Sequence, residues 1–187
     1  MLQIRIHGRG GQGVVTAAEL LALAAFRDGR HAQAFPSFGS ERTGAPVVAF
    51  CRIDDRPIRA HEPVEAPDAV VVQDPTLLHQ VAVFDGLVDA GTIIINTTRA
   101  PAALGLGDLA ASHRLVTVPA SALAREHLGR PLPGAPLLAA LVAVTGIVPL
   151  AALEAAIRER LAGPHAEGNV AAARAAYALE APHAAPA

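Results

Sequence analysis

The sequence of 187 residues predicts an α/β fold in which a mostly parallel sheet is covered by helices. Two observations lead to this prediction. Runs with strand composition alternate with runs of helical spacing through residues 1–130. Two of the strand runs, 69–72 and 92–96, are almost continuously apolar, as expected of parallel strands that are buried on both faces. Because parallel strands are joined by right-handed crossovers, we expect a Rossmann-like three-layer domain with a helical C-terminal segment.

Each element follows from its local pattern. Strands are predicted at 2–6, 32–35, 47–53, 69–72, 92–96 and 115–118, with a short extended return at 57–59. Helices are predicted at 14–26, 76–84, 121–127, 137–144, 150–161 and 169–179. We expect one domain over 1–187, made of an α/β layer (1–130), a helical part (131–181) and a frayed tail (182–187).

Composition excludes several classes of protein. The 15 basic residues, all arginine, are balanced by 17 acidic ones, so the net charge of −2 gives no support for nucleic-acid binding. The single cysteine, Cys51, lies in an apolar strand pattern and is expected to be inert core. One cysteine also cannot form an internal disulfide or hold an iron–sulfur cluster.

No membrane or metal signal is visible in the sequence. The longest apolar stretch, 137–153, is interrupted by Gly146 and Pro149 and is too short to span a bilayer. No charged and apolar leader pattern precedes the first strand, so we expect a cytoplasmic protein. The eight histidines have no spacing typical of a metal site.

The most informative segment is the glycine loop, Gly8-Arg9-Gly10-Gly11-Gln12-Gly13, between the first strand and the first helix. It matches G-x-G-x-x-G but lacks the Gly-Lys-Ser/Thr of a Walker A loop. A dinucleotide site is disfavoured because the second strand ends in Phe35-Pro36-Ser37, without an acidic residue for the ribose. Two interpretations stay open. The glycines form a tight turn only, or backbone N–H groups of 10–13 and Arg9 bind phosphate or a coenzyme A pyrophosphate.

A second polar segment follows the second strand. Ser37, Phe38, Glu41 and Arg42 are candidates to face a ligand or a partner, although a solvated Glu–Arg pair on an ordinary loop is the simpler interpretation. Asp74 and Asn96–Thr98 lie just after buried strands, where N-capping and turn chemistry are the simpler interpretation. No catalytic residue is predicted in this chain alone, because no nucleophile has a base positioned near it.

Together, residues 8–17 and 34–47 resemble the gamma subunit of the 2-oxoacid:ferredoxin oxidoreductases, the pyruvate and 2-oxoglutarate synthase family. The similarity continues through 52–54 and 57–58, and recurs weakly at 138–146 and 169–170.

The resemblance implies a subunit of a complex that converts a 2-oxoacid to its acyl-CoA. Such complexes use thiamine diphosphate, Mg²⁺, [4Fe-4S] clusters and coenzyme A. They comprise alpha and beta subunits, in some cases a ferredoxin-like delta subunit, and they pass electrons to ferredoxin or another acceptor. The resemblance implies that this chain holds none of these cofactors alone, and that the oxoacid is selected by other subunits. The alternative is a stand-alone Rossmann-like protein that binds a nucleotide or coenzyme A without redox chemistry.

Overall fold

A computed structural model describes residues 1–37 and 43–181 of the chain. The predicted candidates Phe38, Glu41 and Arg42 and the predicted tail 182–187 lie outside the described residues.

One six-stranded sheet forms the centre of the fold, in the order β2-β3-β1-β4-β5-β6. Its strands are β1 (Leu2–Arg9), β2 (His31–Pro36), β3 (Pro46–Asp54), β4 (Ala69–Val72), β5 (Thr92–Asn96) and β6 (Arg114–Val118). The strands β1, β4, β5 and β6 are neighbours in this order and run parallel to one another. Strand β3 is antiparallel to both of its neighbours, β1 and β2. The predicted α/β class with a mostly parallel sheet is confirmed.

The helices are α1 (Val14–Arg27), α2 (Gly107–Ser112), α3 (Ala120–Leu128), α4 (Gly134–Thr145), α5 (Leu150–Arg160) and α6 (Gly163–Glu180). Two 3-10 helices occur at Pro75–His79 and Pro101–Leu104. The helix predicted at 76–84 is therefore wrong beyond its first turn, since turns follow His79. The predicted strand at 57–59 does not form, and α2 was not predicted because its six residues are shorter than a helical repeat pattern.

The position of β3 distinguishes this sheet from the dinucleotide-binding arrangement. In that arrangement, a parallel strand lies beside the first strand and ends near the ribose. Here β3 takes this place and is antiparallel, so it begins rather than ends at the glycine-loop edge, and β2 lies at the outer edge. The acidic residue for the ribose was expected at the end of β2, but β2 does not neighbour β1. The antiparallel β3 is a stronger argument against a dinucleotide site.

The two faces of the sheet differ in composition because side chains alternate along each strand. Ile4 and Ile6 of β1 point to the helical face, which is the face covered by α1 and α4 with the other long helices packed behind them. Arg5 and His7 of the same strand point to the opposite face. We call this opposite side the loop face, because 3-10 turns, α2 and the segment 55–66 cover it.

The helical face carries the main core. Helix α4 is apolar on all sides, and ten of its twelve residues are buried, which fits a helix enclosed by neighbours. A small residue also allows α6 to approach α3 closely, since a Cβ at Gly168 of α6 would lie 2.7 Å from the His127 carbonyl of α3. This core joins residues of 1–130 to residues of 131–181.

None of the helices in the described ranges combines the length and the apolar composition that crossing a bilayer requires.

Candidate functional site

The glycine loop lies at the carboxyl edge of the parallel strands, where open α/β sheets place their sites. Strand β1 extends to Arg9, so Gly8 belongs to the strand and not to the turn, in contrast to the strand predicted at 2–6. A Cβ at Gly8 would lie 2.6 Å from Val14 Cγ2, so this glycine permits close packing of strand and helix. The turn itself depends on Gly11 and Gly13, whose φ angles of 94° and 74° favour glycine.

Helix α1 starts from this turn without a side-chain cap. Its N-cap residue is Gly13, in the left-handed region, and no side chain accepts a hydrogen bond from the first turn. The N–H groups of the first turn therefore stay available, and the helix dipole adds partial positive charge. This end of α1 is suited to an anion.

Arg9, in contrast, is occupied by protein groups. Its Nε donates to Asp74 Oδ2 at 3.0 Å, its Nη1 donates to the Gly44 carbonyl, and its Nη2 donates to Thr76 and Gln80. Arg9 thus holds the glycine loop against the segment after β4 and the segment before β3. In this arrangement, backbone N–H groups rather than Arg9 are the free donors for an anion.

Asp74 is the centre of this network. Partial burial raises the pKa of its carboxyl, but hydrogen bonds from Thr76 and Gln12 and the charge of Arg9 outweigh burial, so the pKa lies below its usual value. The backbone N–H of Thr76 donates to Asp74 Oδ1 at 3.0 Å, which confirms the predicted capping role.

Asn96 has a structural role, but through long-range hydrogen bonds rather than the local N-capping and turn chemistry expected of it. Its Nδ2 donates to the Gln73 carbonyl and to Ser121 Oγ, both at 2.8 Å, and its Oδ1 accepts from the N–H of Ser121 at 3.0 Å. Asn96 therefore ties β5 to the end of β4 and to the first turn of α3.

A pocket of about 480 Å³ lies on the β3 side of the glycine loop. We call it the β3-side pocket; its lining residues are Arg9, Gly10, Gly11, Gly13, Val14, Val15, Thr16, Thr43 and Val47. Residues 43–45 are held here by the N–H of Gly10, which donates to the Ala45 carbonyl at 2.9 Å. Ser37 lies beside β3, since its N–H donates to the Val48 carbonyl of that strand at 2.8 Å. Gln12 does not line this pocket but supports the loop through Arg9 and Asp74.

One buried polar residue near the loop, Gln73, was missed by sequence reasoning. Gln73 directly follows β4 and is 1% exposed, yet neither its Nε2 nor its Oε1 has a partner among the described residues. Its place after the strand next to β1 was a signal that could have found it. His7 is also buried, and burial followed by the charge of Arg5 lowers its pKa to about 4.

Cys51 is fully buried, and burial raises the pKa of its thiol to about 12, so it is the inert core residue predicted. No group of three or more His, Cys, Asp or Glu side chains that could hold a metal occurs in 1–37 and 43–181.

The profile of one protein family, described as pyruvate ferredoxin/flavodoxin oxidoreductase, matches residues 3–179. The chain belongs to this family.

Relatives agree with this assignment over almost the whole chain. The pyruvate/ketoisovalerate oxidoreductases common subunit gamma of Thermococcus kodakarensis is 46% identical over 177 residues, covering 95% of this chain and 96% of the relative. The crystal structure of pyruvate oxidoreductase subunit PORC from Thermotoga maritima is 38% identical with a TM-score of 0.80, covering 95% of each chain. The predicted family is confirmed, as is the function of a gamma subunit of such an oxidoreductase.

A more distant structure shows the same fold inside a larger chain. The 2-oxoglutarate:ferredoxin oxidoreductase from Magnetococcus marinus, solved with 2-oxoglutarate, coenzyme A and succinyl-CoA, matches with a TM-score of 0.74 and 16% identity. The match covers 100% of this chain and 32% of that one.

Proposed function

We propose that this chain docks on the catalytic subunits of a 2-oxoacid:ferredoxin oxidoreductase and binds the pyrophosphate of coenzyme A at its glycine loop. The observation that supports the coenzyme A site is the uncapped start of α1, which opens into the β3-side pocket. In this proposal the phosphate donors within 10–13 are the backbone N–H groups of Gly11 and Gly13, together with those of the first turn of α1, because the N–H groups of Gly10 and Gln12 donate to the Ala45 and Arg9 carbonyls. Arg9 and Gln12 hold the loop through Asp74.

Thr43 lines the β3-side pocket, and in sequence it directly follows the segment that contains Phe38, Glu41 and Arg42. We propose that this segment and Ser37 face a neighbouring subunit, so that the acyl-transfer site closes between chains. The gamma chain then contributes binding and closure, and its single domain is inactive in isolation.

The redox cofactors belong to partners in this proposal. Thiamine diphosphate with Mg²⁺ and the [4Fe-4S] clusters are held by the alpha and beta subunits, or by a ferredoxin-like delta subunit. Ferredoxin or another carrier accepts the electrons in the cytoplasm. A fully buried single cysteine supports this division, because cluster ligation needs several accessible thiolates.

The choice of oxoacid is assigned to the other subunits. The Thermococcus kodakarensis relative is named as common to pyruvate and ketoisovalerate oxidoreductases, so one gamma chain there serves two substrates. We infer the same division of labour for this chain.

Subunit function is tested by gentle affinity purification from the native host, followed by mass spectrometry and an iron assay. We expect a thiamine-diphosphate subunit and iron to co-purify. A colourless chain without partners would support the stand-alone nucleotide- or coenzyme A-binding alternative.

The coenzyme A site is tested by a charge placed in the β3-side pocket. Val15 lines this pocket in the first turn of α1, where an acidic side chain suits the helix dipole but repels phosphate. The control is Val15→Asn, because asparagine has the size of aspartate without its charge. In the purified complex, the KM for coenzyme A should be about tenfold higher for Val15→Asp than for Val15→Asn. Equal KM values for the two variants would place the pyrophosphate elsewhere.

A further inference from the structure

The tip of the glycine loop is not held in place by packing. A Cβ at Gly11 or at Gly13 would meet no atom within 4 Å beyond its chain neighbours, so both residues border open space. Glycine also loses more backbone entropy on ordering than any other residue, so such a loop needs an anchor to keep one conformation. The placement of the N–H groups of Gly11 and Gly13 therefore depends on what holds the residue between them.

That residue is Gln12, and both ends of its side chain are engaged. Its Oε1 accepts from the backbone N–H of Arg9 at 2.8 Å, and its Nε2 donates to Asp74 Oδ2 at 3.0 Å. The backbone N–H of Gln12 also donates to the Arg9 carbonyl at 3.0 Å, which closes the turn. A Cβ at Gly8 would lie 3.1 Å from Gln12 Oε1, so this glycine leaves the room that the amide needs.

Asp74 is a rigid partner for this amide. Its Oδ1 accepts from the backbone N–H of Thr76 at 3.0 Å and from the Thr76 hydroxyl at 2.6 Å. Its Oδ2 accepts from Arg9 Nε as well as from Gln12. The side chain of Asp74 is only 15% exposed, so these hydrogen bonds are shielded from competing water. The glycine loop is thus fastened to a fixed point outside the loop.

We propose that Gln12 and Asp74 are positioning residues for coenzyme A, because their hydrogen bond presets the loop conformation in which the N–H groups of Gly11 and Gly13 are free. This inference rests on the proposed coenzyme A site. Neither Gln12 nor Asp74 lines the β3-side pocket, so both act through the loop and not through contact with the ligand. A loop that is ordered beforehand loses less conformational entropy when it binds.

The first test is Gln12→Met, which removes both side-chain hydrogen bonds without adding a charge. In the purified complex, the KM for coenzyme A should rise about tenfold, while kcat and the KM for the oxoacid stay unchanged. In the full chain alone, amide hydrogen exchange should become faster at 9–13, because the turn has lost its anchor. Unchanged exchange in α4 checks that the variant is folded.

The second test swaps the two side chains, which separates positioning from direct repulsion of the ligand. Gln12→Glu places two carboxylates together, and Asp74→Asn removes a charged acceptor, so each should raise the KM for coenzyme A. In the double variant an amide again faces a carboxylate, so its KM should lie well below the product of the two single effects. Direct repulsion of phosphate would persist in the double variant, because the new charge stays at position 12. Asp89→Asn, at an exposed position outside the site, is the control for loss of a carboxylate.

The outcomes keep this proposal apart from the coenzyme A site itself. Wild-type hydrogen exchange in Gln12→Met, or single effects on the KM that simply multiply in the double variant, would overturn the positioning role. An unchanged KM in Gln12→Met would also overturn it if Val15→Asp and Val15→Asn differ. Equal KM values for the two Val15 variants, with faster loop exchange in Gln12→Met, would instead reject the coenzyme A site, and Gln12 would still be the residue that orders the loop.

Discussion

The two faces of the sheet are stabilised in different ways. The helical face is a continuous apolar core in which α4 is enclosed by strands and by other helices. The loop face, over β1 and β3, instead buries Arg5, Arg52 and His7. Their partners there are mostly backbone carbonyls of long connecting segments.

Arginine explains how this second face can form without helices above β1 and β3. Arg52 Nη2 donates to the Glu62 carbonyl at 2.6 Å, and Arg5 Nη1 donates to the Val64 carbonyl at 3.4 Å. Both residues thus fasten the segment 60–64, whose carbonyls have no sheet or helix partner of their own. Apolar packing stabilises the helical face and the part of the loop face over β4 and β5, whereas hydrogen bonds from arginine to backbone carbonyls stabilise the part over β1 and β3.

The largest effect is expected on the helical face. Leu138 is fully buried in α4, so Leu138→Ala should lower the free energy of unfolding by about 3–4 kcal/mol through lost burial and a cavity. Urea unfolding measures this change. Phe26→Ala is the control, since Phe26 of α1 is 71% exposed and its loss should change stability little. Equal effects of the two substitutions would contradict the assignment of the core to this face.

A fall in pH should destabilise the chain through His7, which is buried on the loop face. The pKa of His7 is lowered to about 4 in the folded chain, against 6.5 for an unperturbed histidine. Between these values the unfolded chain binds more protons, so stability rises with pH and is lost as the pH falls from 6.5 towards 4. The loss should reach about 2–3 kcal/mol near pH 4.

The contribution of His7 is isolated by substitution. Urea unfolding between pH 4 and pH 7 should show a smaller pH slope for His7→Gln than for wild type. An unchanged slope in His7→Gln would show that other groups cause the acid sensitivity.

A smaller and more local effect is expected from Arg52. Arg52→Met keeps an unbranched apolar stem but leaves the Glu62 and Ala60 carbonyls without their donor, so the free energy of unfolding should fall by about 2 kcal/mol. Hydrogen exchange should increase first around 60–64, whereas Leu138→Ala should act on the whole chain. Arg59→Met, at an exposed position, is the control. Uniform exchange in Arg52→Met would contradict the role given to Arg52.

The candidate site was predictable to the extent that it depends on local chemistry. The glycine loop predicts a tight turn that leads into a helix start. The structure shows Gly11 and Gly13 at positive φ and no side-chain cap on α1. The engagement of Arg9 was not predictable, because Asp74, Thr76 and Gln80 are more than sixty residues away in sequence. Gln73 could be placed at a strand end, but its lack of partners depends on the surrounding packing.

Sequence alone determined the α/β class, the strand–glycine–helix start and the family, because periodicity, turn chemistry and the two motifs are local properties. Only the tertiary structure decided that β3 lies antiparallel beside β1, since strand order depends on pairing between distant segments. It also brought α4 and α6 to the start of α1, where the three helices border a cleft of about 490 Å³. The cleft joins residues from 11 to 169, and such a contact surface exists only once the helical C-terminal part has packed on the sheet.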